Sequence, residues 1–168
     1  MVQSTQERHF HQLLLDNLAR LRRYARVLSR DAPNADDLVQ DTLELAWRHW
    51  QQWRPDSDIR AWLFSIMHNR HIDWARQSNR HVGLSDEEWA RMAVPPMQEQ
   101  SLQMRDLSQA LSLLPDEQRE ILLLVVVEEM RYQDAAKMLG LPIGTVMSRL
   151  HRGRERLRQL MDEHGEET

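Results

Sequence analysis

Apolar residues recur at helical spacing along most of the chain. Phe10, Leu14, Leu18, Leu21, Ala25 and Leu28 form one stripe and predict a single opening helix. "RDAPNADD" interrupts it: Pro33 and Asn34 predict a turn, with Asn34 or Asp36 capping the next helix. Val39, Leu43, Ala46, Trp50 and Trp53 continue the pattern until "RPDSD", a loop signal. A third helix is expected from about Ile59 to about Gln77. Periodicity then fades across residues 79–98, which contain Gly83, Pro95 and Pro96 and predict a linker with one short turn near Trp89. It resumes at Leu107, Ala110, Leu111 and Leu114, and Pro115 punctuates it.

"DEQREILLLVVVEEM" is the ambiguous element. Its β-branched centre fits a buried strand by propensity. Helix is the better reading, because acids just after Pro115 suit a helix N-terminus and no partner strand exists elsewhere. A short helix from about Tyr132 to Leu139, a turn over Gly140 to Pro142 and a final helix complete an all-α chain.

Composition sharpens this picture. With five glycines and six prolines in 168 residues, turn residues are too few for a barrel or sandwich. The absence of cysteine excludes disulfides, thiol catalysis and cysteine-ligated metal centres, and suits a reducing cytosol. The N-terminal residues lack a signal-peptide pattern, and the longest apolar run, Ile121 to Val127, is far short of the ~18 residues of a membrane span. The net charge of −4 hides a segregation. Asp31 to Ala46 holds five acids and no Lys or Arg, whereas Thr145 to Leu160 holds five arginines and one acid. Two faces for two kinds of partner is the simplest reading.

The C-terminal stretch "YQDAAKMLGLPIGTVMSRLHRGRERLRQL" has the layout of a helix-turn-helix. Ala135 and Ala136 permit close helix crossing, Gly140 can end the first helix in the left-handed conformation, and Thr145 can cap the second or contact phosphate. At ~100° per residue, Val146, Leu150, Gly153, Leu157 and Leu160 share one sector, the expected buried side. Ser148, His151 and Arg152 lie opposite, flanked by Thr145 and Arg149 on one side and Met147 on the other. Hydroxyls, an imidazole and arginines suit a DNA major groove, while Arg154, Arg156 and Arg158 fit phosphate contacts. An ordinary solvated basic helix has the same charge pattern.

That stretch resembles the region-4 helix-turn-helix of extracytoplasmic-function (ECF) sigma factors, the small members of the sigma-70 family. "LSLLPDEQREILLLVVVEEMRYQDAA" is similar to its lead-in, and "ADDLVQDTLELAWRHWQQW" and "IRAWLFSIMHNRHIDWARQSNR" resemble regions 2.2 and 2.3–2.4, in the family order. The resemblance covers about Leu13 to Met161. It implies two small helical domains joined by a flexible linker: residues 1–78 (region 2), 79–98 (linker) and 99–168 (region 4).

It further implies that the protein directs promoter-specific transcription initiation without catalysing covalent chemistry. Asp37, Gln40, Asp41 and Glu44 would meet the coiled coil of the polymerase β′ subunit. Arg54, Asp56 and Ser57, in the loop that receives a flipped base, would bind the −10 element with Trp62, Asn69, Arg76 and Arg80 of the following helix. Trp50, Trp62 and Trp74 also have the spacing of core residues, and Asp73 that of a structural partner for Arg70 or Arg76. Thr145, Ser148, Arg149, His151 and Arg152 would read the −35 duplex. The implied partners are core RNA polymerase, including its β flap, promoter DNA and an anti-sigma factor. No cofactor, metal or small-molecule substrate is expected. The implied location is the cytoplasm, at the inner membrane face if the anti-sigma factor is membrane-bound.

Two positions depart from the family pattern: Met147, where a cation is frequent, and Gly153, where alanine is common. Three other readings stand beside this one. A sigma-like mimic that titrates an anti-sigma factor would not need the arginines of the last helix. A dimeric helix-turn-helix repressor would need a dimerisation or ligand domain. A metal site built on His68, His71, His81 and Asp73 lacks a convergent carboxylate pair.

Overall fold

A computed structural model describes residues 2–81 and 102–165, and side chains within 5–78 and 104–163. The chain forms two compact units, Met1–Ala93 and Val94–Thr168. The linker expected over 79–98 lies, past His81, outside the described residues.

In the first unit, α1 (Val2–Asp16), α2 (Leu18–Ser29), α3 (Ala32–Arg48) and α4 (Ile59–His81) surround one core, with a 3₁₀ turn at Trp50–Gln52. The opening stripe spans two helices rather than one. Asn17 (ψ 0°) breaks it, its side-chain amide donating to Leu13 O at 2.9 Å. Asparagine competes with helix in this way, offering the backbone a local alternative partner. The hydrophobic register survives the break: Phe10, Leu14, Leu21, Tyr24, Ala25 and Leu28 are all buried. The expected caps also move. Asp31 is the N-cap of α3 and accepts from Asn34 N at 2.9 Å, which places Pro33 and Asn34 inside the first turn. Proline fits there, because the first helical N–H groups have no intrahelical acceptor. α4 runs four residues beyond the predicted Gln77, since no glycine or proline occurs before Gly83.

The core of this unit is closed by aromatics. Phe10, 1% exposed, lies with its ring centroid 5.8–6.4 Å from those of Trp47, Trp50, Trp53 and Trp62. Deeper in, Tyr24 and Phe64 pack at 4.8 Å. Such ring pairs contribute beyond their buried area.

The second unit holds α5 (Leu102–Ser112), α6 (Asp116–Leu122), α7 (Tyr132–Leu139) and α8 (Ile143–Gly165). The ambiguous apolar run is helical, and Leu123–Val127 widens into a π turn in which Glu128 N reaches back to Leu123 O at 2.9 Å. Leu123 and Leu124 are buried while Val126 and Val127 are exposed. Arg119 is buried and capped locally, donating to Asp116 and to Leu114 O.

Candidate nucleic-acid interface

α7 and α8 build the helix-turn-helix. Gly140 (φ 66°) ends α7, with Gly140 N on Lys137 O at 3.3 Å and Leu141 N on Ala136 O at 2.9 Å. This crossed pair is a Schellman motif and needs a left-handed residue, hence glycine. Ala135 and Ala136 are buried at the crossing. At the start of α7, Arg131 donates to Asp134 at 2.7 Å, and that hydrogen bond raises its pKa. α8 begins at Ile143, with Thr145 N and Val146 N both on Pro142 O. Thr145 therefore sits within the first turn and does not cap the helix.

α8 divides into two faces. Val146, Leu150, Gly153 and Leu160 are buried and Leu157 is half-buried. Met147, Ser148, His151, Arg152, Arg154, Arg156 and Arg158 are exposed. A β-carbon on Gly153 would stand 3.2 Å from Leu122 Cδ1 and 3.3 Å from Gln118 Cβ. α6 thus crosses α8 so closely that residue 153 has almost no room for a side chain. That close approach works against the ~1 kcal/mol that alanine would gain over glycine in a helix.

The polar groups of this face are already oriented. Arg152 Nη2 donates to Ser148 Oγ at 2.9 Å, and Arg158 pairs with Glu155 at 3.0 Å. Arg149, on the flank and only 23% exposed, pairs through Nη2 with Glu117 of α6 at 3.2 Å. No local sequence signal marks that pair, because its members lie on separate helices.

The residues expected to meet polymerase lie on α3. Asp37, Gln40 and Glu44 are exposed, with Gln40 donating to Glu44 at 3.4 Å. Asp41 is different: it accepts from Arg70 Nε at 2.8 Å and ties α3 to α4. Asp36, Gln40 and Glu44 line a groove with Arg22 and Arg26 of α2 over Leu18, Val39 and Leu43. The two arginines escaped notice in the sequence, although "RLRRYAR" held the signal.

The residues expected at the −10 element belong to the loop after the 3₁₀ turn and to α4. Arg54, Asp56 and Ser57 are exposed, Arg54 pairs with Asp56 at 3.4 Å, and Ser57 Oγ donates to Arg54 O at 2.7 Å. Asn69, Asp73 and Arg76 are exposed on α4. Trp62 is half-buried and meets Phe10 edge-on at 6.0 Å, and Trp74 is half-buried with the Arg70 guanidinium 5.8 Å from its ring centroid. Trp50, also half-buried, belongs to the Phe10 cluster. The partner suggested for Arg70 was Asp73; its ion-pair partner is Asp41. The Arg80 side chain lies outside the described residues, as does that of His81. Among the described residues, no three His, Asp or Glu side chains converge on a common point for a metal, and no helix is long and apolar enough to cross a membrane.

Comparison with known proteins is consistent across both units. Residues 14–68 match the family described as the Sigma2 domain of PhyR, and residues 104–157 match Sigma-70, region 4. The ECF RNA polymerase sigma factor EcfG of Rhodopseudomonas palustris is 38% identical over 148 residues, 88% of this chain and 82% of that protein. SigM, an ECF sigma factor of Mycobacterium tuberculosis, is 34% identical over 90% of this chain and 76% of its own. Among solved structures, the sigma factor RpoE in complex with the anti-sigma factor NepR from Bartonella quintana superposes with a TM-score of 0.78 at 36% identity, covering 92% of this chain and 97% of that one. The chain belongs to the ECF RNA polymerase sigma factors, the proteins that direct RNA polymerase to promoters.

Proposed function

We propose that the two units divide promoter reading between them, with residues 1–78 as the −10 and polymerase-binding domain, 79–98 as linker and 99–168 as the −35 domain. The observation that carries the −35 assignment is the division of α8. One side is buried at Val146, Leu150 and Gly153, the last of these against α6, and the other presents Ser148, His151 and Arg152 outward, with Thr145 and Arg149 on the flank. An α-helix presenting such donors fits the major groove, where arginine can bond guanine in bidentate fashion.

In unit 1, Asn69 and Arg76 carry the −10 contacts, with Arg54, Asp56 and Ser57 forming the base-receiving loop and Trp62 and Arg80 flanking them. Amides and guanidinium groups beside an aromatic suit a melted strand. Asp37, Gln40 and Glu44 supply the polymerase contact, while Asp41 acts chiefly by holding α3 against α4 through Arg70. The protein performs no covalent chemistry, works in the cytoplasm, and is held in check by an anti-sigma factor, as NepR accompanies the Bartonella quintana relative.

A second reading is favoured by the match of residues 14–68 to the Sigma2 domain of PhyR, a protein solved in complex with NepR: a sigma-like regulator whose partner is the anti-sigma factor alone. The exposed arginine-bearing face of α8 supports the promoter reading instead. Transcription in vitro with core polymerase on a promoter library separates the two. Chain-dependent initiation at a shared sequence motif is expected. Its absence, with anti-sigma binding intact, would replace the first reading by the second.

A further inference from the structure

The two arginines nearest the exposed face of α8 are held by different kinds of partner. Arg152 Nη2 rests on a neutral hydroxyl, Ser148 Oγ, at 2.9 Å on its own helix. Exchanging that hydroxyl for a base edge costs no charge separation. Arg149 Nη2 rests on a carboxylate, Glu117 Oε2, at 3.2 Å on another helix. Glu117 sits in the first turn of α6 and is 66% exposed, while Arg149 is 23% exposed. The carboxylate therefore stays in solvent, beside the face that meets DNA.

We infer that Glu117 is a specificity-determining residue: it positions Arg149 for a base edge and keeps it off the phosphates. This inference rests on α8 being the DNA-reading helix. Its physical basis is the guanidinium fork. Arginine carries five N–H donors, so one Nη2 contact with Glu117 leaves the other donors for a base edge. A guanidinium tethered at one end keeps two donors for bidentate pairing with a base. Meanwhile the carboxylate partly cancels the charge that a phosphate would otherwise attract. Glu117 also repels any phosphate brought within its reach by a wrong docking register. Specificity commonly needs such a repulsive element as well as the attractive one. With its carboxylate solvated, the pair contributes little stability, so folding gives it no strong reason to exist.

The test uses the full chain assembled with core polymerase. It compares a duplex selected by the wild-type holoenzyme with a scrambled duplex, over a range of salt concentrations. Glu117→Gln should raise affinity for the scrambled duplex about threefold and lower the ratio of selected to scrambled binding. It should also steepen the log–log salt dependence on scrambled DNA by about 0.9, the signature of one added phosphate contact. Arg149→Ala alone should weaken binding to the selected duplex and leave the scrambled duplex nearly unchanged. Added to Glu117→Gln, it should erase the gain in salt dependence.

The outcomes are separable. If Arg149→Ala does not affect the selected duplex, the −35 reading of this residue fails first. If Arg149→Ala weakens selected binding but Glu117→Gln leaves the ratio and the salt dependence unchanged, the inference about Glu117 is overturned while the −35 reading stands. A parallel loss on both duplexes with a lowered Tm would make Glu117 a structural strut and overturn it equally. Glu117→Asp, which keeps the charge, should retain most of the wild-type ratio.

Discussion

Arg70 Nε donates to Asp41 Oδ2 across 2.8 Å and joins α4 to α3. Both side chains are about one third exposed, at 34% and 31%. The pair bridges the helix proposed to meet polymerase and the helix proposed to meet the −10 strand. Being partly solvated, it contributes on the order of 1 kcal/mol or less.

Asp41→Ala should therefore lower Tm slightly, Arg70→Ala somewhat more because it also loses its contact with Trp74, and the double variant should lose less than their sum. Asp37→Ala, Gln40→Ala and Glu44→Ala should leave Tm unchanged and weaken core polymerase binding. Thermal unfolding and a polymerase-binding titration, run side by side, check this. Additive losses in the double variant would show that the two groups are not coupled.

Gly153 is fixed by the nearness of α6. Gly153→Ala puts a β-carbon 3.2 Å from Leu122 Cδ1, a contact that offsets the ~1 kcal/mol gained in helix propensity. The net change should stay within about 1 kcal/mol. Gly153→Val adds volume with nowhere to go and should cost ~1–3 kcal/mol. Denaturant unfolding measures both. A valine variant as stable as wild type would mean that α6 can move away freely.

On α8, the helix proposed to read DNA, Arg152→Ala should weaken binding to the selected −35 duplex by ~1–3 kcal/mol. Core polymerase binding should not change. His151→Ala and Ser148→Ala should shift the preferred sequence more than the overall affinity. Selection from a randomised −35 library reads this out directly, and an unaltered logo for all three variants would remove α8 from the reading face.

For α4, Asn69→Ala and Arg76→Ala should slow open-complex formation while leaving initial promoter binding intact. Both side chains are exposed, so Tm should be preserved. Permanganate reactivity of −10 thymines is the measurement. Normal reactivity at normal rates would count against a contact with the melted strand.

Asp31 caps α3 through Asn34 N, and Asp31→Ala should cost ~0.5–2 kcal/mol. Asn34→Ala and Asp36→Ala should cost less, since neither residue caps the helix. The order of the Tm values decides the matter.

What the sequence by itself determined was which positions form helices and which face of each turns inward. Phe10, Leu14 and Leu21 kept their register across an unforeseen break at Asn17, and Val146, Leu150 and Leu160 went inward as their spacing required. Helical periodicity is a local property, so one sequence is enough to show it. The turn at Gly140 was legible for the same reason, since a left-handed residue has its own chemical signature. Only the tertiary structure decided which charged groups remain available. Asp41 is tied to Arg70, Arg149 is tied to Glu117, and four tryptophans are gathered around Phe10. It also decided how little room residue 153 has, because Leu122 and Gln118 approach it from another helix. These relationships join residues distant in the chain. Their energies come from distances in space that local pattern does not encode.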